Sequence, residues 1–147
     1  MCVVLLFSFA RSATASSKAE IKKINRYLQS TPMRGTGKII VNQSRKYKIN
    51  PTFVVAVAGK ESSFGAASCS SNPKNVWGLG ACNRAWRTPE FKSWIQAINY
   101  FVRFIDGRWP SANNPFEFYG YCQGCEYEWG SAVSTHMRNI TGSTRVR

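Results

Sequence analysis

Apolar residues recur along most of this chain at three- and four-residue spacing, a periodicity that predicts helices. Ile21, Ile24 and Leu28 mark one stripe of an amphipathic helix over Lys18–Leu28. Pro32 to Gly37 breaks that pattern, and a second helix resumes from Lys38 to Tyr47 with Ile39 and Ile40 inward. Asn50-Pro51-Thr52 then supplies an N-cap and a proline at the first helical position. In the third helix Val54, Val57, Ala58 and Glu61 share one face, and Phe64-Gly65 closes it. Residues 65–92, rich in Gly, Pro, Asn, Ser and Cys, read as an irregular loop region. Ser93 caps a fourth helix whose Trp94, Ala97, Ile98, Phe101 and Ile105 line one side; it is expected to be the buried central helix. Residues 107–115 are a loop, and residues 116–127 are aromatic and irregular. Trp129, Val133, Met137 and Ile140 mark a last helix with a short basic tail. The prediction is one small, mainly α domain with no repeat and no linker.

One position on the third helix breaks the apolar pattern. Glu61 ends the run Phe53-Val-Val-Ala-Val-Ala-Gly-Lys-Glu61, on the same stripe as the valines. A carboxylate in the last helical turn opposes the macrodipole, and burial on the apolar stripe adds a desolvation cost. Both favour the neutral acid, whereas Lys60 favours the charged form if it turns inward. The ordinary fate of a terminal glutamate is solvent exposure, so the stripe alone makes Glu61 a candidate proton donor and nothing more.

A wider pattern surrounds it. Glu61-Ser62 is followed about a dozen residues on by Asn75-Val-Trp-Gly-Leu-Gly80, and near the end of the domain stands Tyr121-Cys-Gln-Gly124. In order and spacing this resembles the lysozyme-like transglycosylase superfamily, which includes soluble lytic transglycosylases and goose-type lysozymes. There the Glu of a Glu-Ser pair is the catalytic acid; here it matches Glu61. The family's Gly-Leu-Met-Gln step is matched in part by Gly78-Leu79-Gly80, without the Met-Gln half. Its Tyr-Asn-Ala-Gly motif is matched at Tyr121 and Gly124. The likeness spans residues 38 to 140.

The resemblance implies a lysozyme-like fold, with a short β-hairpin in the loop region, and cleavage of β-1,4 glycosidic bonds in peptidoglycan. It also implies substrate contacts from Ser62, Trp77, Gly78, Leu79, Tyr119, Tyr121 and Gln123. Trp77 offers a flat apolar face to a pyranose ring, and core packing is its alternative. Ser62 either bonds the acid or an acetamido group, or caps the helix end. Tyr121 orients glycan or glutamate, or is a buried structural residue. Lytic transglycosylases work with one Glu, the substrate's own 6-hydroxyl attacking to give an anhydro sugar. Hydrolysis would use a second carboxylate. Glu126 and Glu128 flank the tyrosine motif, and their other role is to place negative charge at the start of the last helix. His136, with no acid or serine partner signalled, reads as structural. No cofactor and no metal is expected.

Composition adds a compartment and a partner. Met1 to Ala10 is apolar, followed by Arg11 and Ala13-Thr-Ala15, the features of a secretory signal peptide over residues 1–15 preceding a domain over residues 16–147. The rival role for this stretch is a buried terminal helix or strand, and it is too short to span a bilayer. A secreted or periplasmic, cell-envelope location follows. Removing Cys2 with that segment leaves Cys69, Cys82, Cys122 and Cys125, an even number that suggests two disulfides. Of the three connectivities, Cys69–Cys82 and Cys122–Cys125 are favoured, since each closes a loop beside a proposed site element. Cys122 and Cys125 make only half a zinc ribbon, and Cys69 and Cys82 are too far apart for the other half.

The chain of 147 residues carries 20 basic against 7 acidic side chains, a formal charge of +13. Such a balance calls for an anionic partner. The basic residues form no single stripe and no nucleic-acid motif is present, so the bacterial envelope with its glycan strands is the expected partner, and no nucleic acid. A monomer is expected. A non-catalytic, cationic wall-binding or antimicrobial protein on the same scaffold is the alternative. Murein or chitin, endo or exo action, and hydrolysis or transglycosylation are left open by these residues.

Overall fold

A computed structural model describes residues 4–67, 72–80, 89–109, 114–118, 121 and 124–142, with backbone alone before residue 15. Among these it contains five α-helices: α1 (Val4–Tyr27), α2 (Gly37–Lys46), α3 (Pro51–Ser62), α4 (Trp94–Arg108) and α5 (Glu126–Thr141). Two 3-10 turns, Ser63–Gly65 and Pro115–Glu117, complete the described elements, and none of them is a strand. The mainly α, single-domain prediction holds. The hairpin implied for residues 65–92 is not found in the described part of that region, and residues 68–71 and 81–88 lie outside it.

The centre of the molecule is α3, not α4. Phe53, Val54, Val55, Ala56, Val57, Ala58 and Gly59 are all buried, so α3 is apolar on every side rather than along a stripe. It packs chiefly against α5, with α2 on another flank, and α2 in turn rests on α4. The helix expected to be central, α4, keeps one buried face of Ala97, Ile98, Phe101, Val102 and Ile105. Its other face carries charged residues and leaves Ile95 and Tyr100 54% and 48% exposed. Fourth-helix periodicity was therefore a true amphipathic signal, and its reach ends at one face. The N-cap of α3 forms as the sequence requires: Asn50 Oδ1 accepts from the Thr52 amide at 3.0 Å. Ser93 caps α4 through the Gln96 amide in the same way.

The first helix begins at Val4, not Lys18, and runs without a break through Ala15. No helix of the described residues is long and apolar enough to cross a membrane. Ile24 and Leu28 are buried in the core, and Gly37 donates to Asn25 Oδ1 at 3.0 Å, tying α2 to α1. Arg45 bridges the same pair by contacts to Ser17 and Glu20, the latter at 3.1 Å.

Trp77 is the largest fully buried side chain. Its ring lies parallel to Phe101 of α4 at 4.5 Å and 8° between planes, and its indole N–H donates to the Val54 carbonyl at 3.0 Å. The sugar-stacking role is thus closed to it, because one face is taken and the rest is enclosed at 1% exposure. Replacing Trp77 by alanine would remove that ring and leave a cavity. Trp77→Ala is expected to lose about 3–5 kcal/mol in urea unfolding, and a loss below about 1 kcal/mol would contradict its placement.

Candidate functional site

The site is assembled where α3 stops. Ser62 ends the helix with a hydroxyl that donates to the Val76 carbonyl at 2.7 Å and accepts from the Gly65 amide at 2.8 Å. Its hydroxyl proton has gone to a backbone carbonyl and the side chain is 3% exposed, so a bond to acid or substrate is excluded for it. The capping alternative describes Ser62. Beyond it the backbone enters the left-handed region three times in succession, with φ 49° at Ser63, 60° at Phe64 and 96° at Gly65. A non-glycine residue there costs on the order of 1 kcal/mol or more. Phe64 is held despite that cost, its ring edge-on to Tyr27 at 5.6 Å and to His136 at 5.5 Å.

This turn seats the segment Asn75–Gly80 against α3. Asn75 is fully buried and clamps the loop, its Oδ1 accepting from the Leu79 amide at 3.1 Å and its Nδ2 donating to the Leu79 carbonyl at 2.9 Å. Trp77 and Ser62 add the two bonds already described, and Tyr121 adds a third by donating its hydroxyl to the Trp77 carbonyl at 3.0 Å. Gly78 and Gly80 take φ 69° and 65°, a conformation suited to glycine. The result is that Gly78 faces the acid: a Cβ on it would sit 3.7 Å from Glu61 Oε2. Leu79 contributes its backbone to the loop and packs its side chain on the core.

Glu61 is partly buried, and its Oε1 accepts a 2.6 Å hydrogen bond from the indole N–H of Trp129 on α5. Burial raises the carboxyl above its ordinary value, while the Trp129 bond and the Lys60 ammonium pull the other way and are the smaller effects. An indole N–H only donates. In the neutral acid Oε1 is therefore the carbonyl oxygen and the proton sits on Oε2, the oxygen towards Gly78. The Trp129 ring is itself fixed by Tyr121 at 5.1 Å, Phe118 at 6.2 Å and Phe53 at 6.4 Å. Burial, then the nearby Glu61 carboxylate, holds the Tyr121 phenol well above its ordinary value, so it remains a neutral donor.

Of the residues named from the sequence, Glu61, Gly78 and Tyr121 are brought together, and Trp77, Leu79 and Ser62 serve to hold them. Tyr119, Gln123, Cys69, Cys82 and Cys122 lie outside the described residues. Cys125 is disulfide-bonded, to a partner outside them. Glu126 and Glu128 are exposed in the first turn of α5, and Glu126 Oε1 accepts from the Gly124 amide at 3.2 Å. His136 pairs its Nδ1 with the Tyr27 hydroxyl at 2.8 Å, and its ring is wedged between Tyr27 and Phe64. Burial lowers its protonation below the ordinary value. That is a packing role. No group of His, Cys, Asp and Glu among the described residues is arranged to hold a metal.

Trp129 and Asn75 were not singled out for roles from the sequence. Trp129 was placed only as a core residue of the last helix, yet a buried indole N–H needs an acceptor. A stripe glutamate needing a donor was the available signal. No protein-family model, curated protein or solved structure matches the chain.

The raised Glu61 carboxyl has a consequence for stability. A folded-state value above the unfolded one gives a contribution fully present below about 4.5 and lost as pH rises through the folded value. Glu61→Gln carries no such ionisation. Its melting temperature is expected to gain on the wild type as pH rises from about 4.5 through the folded-state midpoint of Glu61, and a constant difference would contradict a poorly solvated carboxyl. Trp129→Phe removes the indole donor to Oε1, so carbon-13 NMR of Glu61 should find its titration moved further up; an unchanged or lower midpoint would refute the hydrogen bond.

Proposed function

We propose that this chain cleaves β-1,4 glycosidic bonds in peptidoglycan, with Glu61 as general acid and then general base. The observation that carries the reading is the partly buried Glu61, bonded on one oxygen by Trp129 with the other oxygen facing Gly78. A carboxyl that burial raises above its ordinary value holds its proton better than a free one, which is what protonation of a sugar leaving group requires. The lysozyme-like fold assignment and the resemblance around Glu61-Ser62 belong to the same proposal.

In the first step Oε2–H gives its proton to the glycosidic oxygen, and the C1–O bond breaks to release the next sugar's 4-hydroxyl. The substrate's acetamido group stabilises C1 in the manner the resemblance implies. Glu61, now a carboxylate, takes the proton from the same sugar's 6-hydroxyl as that oxygen bonds C1. The product is a 1,6-anhydro sugar, no water is consumed, and the carboxyl is restored. We favour this single-acid route because Glu126 and Glu128 are both exposed and Glu126 is engaged with the local backbone. A water in place of the 6-hydroxyl gives hydrolysis with the same acid.

Glu61→Gln is expected to fold normally and to lose at least ~10²-fold in release of soluble fragments from purified peptidoglycan. Full activity in that variant sinks the assignment. Mass spectrometry of the wild-type digest should find anhydro-muropeptides. Reducing-end products, heavier by one water, would replace the transglycosylase route with hydrolysis. A wild type that binds walls in a salt-sensitive way and releases nothing would establish the non-catalytic cationic binder instead.

A further inference from the structure

Two adjoining hollows run along the solvent side of α4. One, of about 450 Å³, includes Asn99, Tyr100, Arg103 and Phe104 in its wall; the other, of about 670 Å³, continues from Arg103 and Phe104 to Arg108 and Trp109. The helix that forms this wall buries one face, and both hollows lie along the other.

The wall combines two chemistries. Tyr100, 48% exposed, and the partly buried Phe104 and Trp109 supply flat apolar faces. Arg103 and Arg108 are exposed, and neither forms an ion pair among the described residues, although Asp106 stands between them on the same helix. The Arg108 guanidinium lies over the Trp109 ring, 5.6 Å from its centroid, and both residues line the second hollow. Guanidinium beside an aromatic plane suits carboxylates attached to ring-shaped, partly apolar groups.

The wall is also tied to the acid through packed rings of the core. Trp109 lies 6.0 Å from Tyr121, Tyr121 lies 5.1 Å from Trp129, and Trp129 bonds Glu61. Trp109 is thus two aromatic rings from the carboxyl, so the wall and the acid share one rigid packing unit.

We propose that this groove is a distal subsite for the carboxylate-bearing substituents of an N-acetylated β-glycan, Arg103 and Arg108 pairing with the carboxylates while Tyr100 and Trp109 support the sugar rings. The inference rests on the glycan-cleaving reading and narrows its substrate to an acidic, murein-type polymer over neutral chitin. Neutral chitin offers two unpaired guanidinium groups nothing to bind, whereas lactyl and peptide-stem carboxylates neutralise both.

The test separates the subsite from the catalysis. Binding of soluble peptidoglycan fragments, of the same fragments with amidated carboxylates, and of chitin oligosaccharides is measured by calorimetry on the Glu61→Gln protein, with and without Arg103→Gln and Arg108→Gln. Circular dichroism controls for folding. The acidic fragments should bind about 10-fold or more tighter than amidated ones at low salt. The double arginine variant should lose that advantage and leave chitin binding unchanged. Equal affinity for acidic and amidated fragments, or an unaltered preference in the double variant, overturns the subsite even if Glu61-dependent cleavage is found. Displacement of the fragments by a DNA oligonucleotide at equal charge concentration also overturns it, since any polyanion would then serve. An arginine-dependent preference for acidic fragments in a protein that releases no products retains the subsite and removes the catalytic reading.

Discussion

The constraint from which the rest follows is the termination of a helix that has no polar side. An all-apolar α3 is stable only if covered on every face, and α5, α2 and the Asn75–Gly80 segment provide that cover. Its last turn must then emerge from the core while carrying Glu61. Ser62 resolves the problem with one hydroxyl, donating across to Val76 and accepting from Gly65. The left-handed turn that follows is the cost of stopping so abruptly, and Phe64 offsets it by filling space between Tyr27 and His136. Gly59 belongs to the same solution: a Cβ there would come within 2.6 Å of the Phe64 ring. Substitutions at these positions would act on the carboxyl through backbone placement, without touching it.

The Trp129 bond divides the two oxygens of Glu61 into distinct roles. A carboxyl left without any donor in this setting would be free to turn and present either oxygen. With the indole N–H on Oε1, the hydroxyl is assigned to Oε2 and so has a direction. The bond favours the ionised form, yet burial outweighs it, so the group gains orientation while its carboxyl stays raised above the ordinary value. Tyr121 extends the arrangement: its hydroxyl is committed to the Trp77 carbonyl, and its ring braces Trp129. Orientation of the acid is thereby built on the same aromatic packing that fills the space between α3 and α5.

Much of this was legible because it is local. The Asn50-Pro51 cap, the apolar period of α4 and α5, and the position of Glu61 at the end of an apolar run are each carried by residues a few positions apart. What sequence reasoning missed is long-range. Trp129 is 68 residues from Glu61, and nothing in either neighbourhood states that they meet. Trp77 illustrates the opposite error: an aromatic beside a Gly-Leu step suggests a sugar platform, but a distant ring, Phe101, claims its face. The centrality of α3 over α4 also escaped periodicity, since a helix apolar on all sides has no stripe and its valines were read as one. At the N-terminus, composition pointed to a processed segment while helix propensity carries α1 through it; the two concern different states of the chain and need not agree.

The charge of the molecule sharpens the meaning of the Glu61 environment. With a formal +13, the average field favours ionisation of every carboxylate, as the Lys60 ammonium does locally. Exposed acids such as Glu126 and Glu128 meet that field in water, where it is screened. Glu61 meets it with part of its hydration removed, and desolvation is the larger effect. A surface positive enough to gather an anionic polymer would, on a freely hydrated acid, work against keeping the proton. Burial at the end of α3 thus raises the Glu61 carboxyl against the field of the whole molecule.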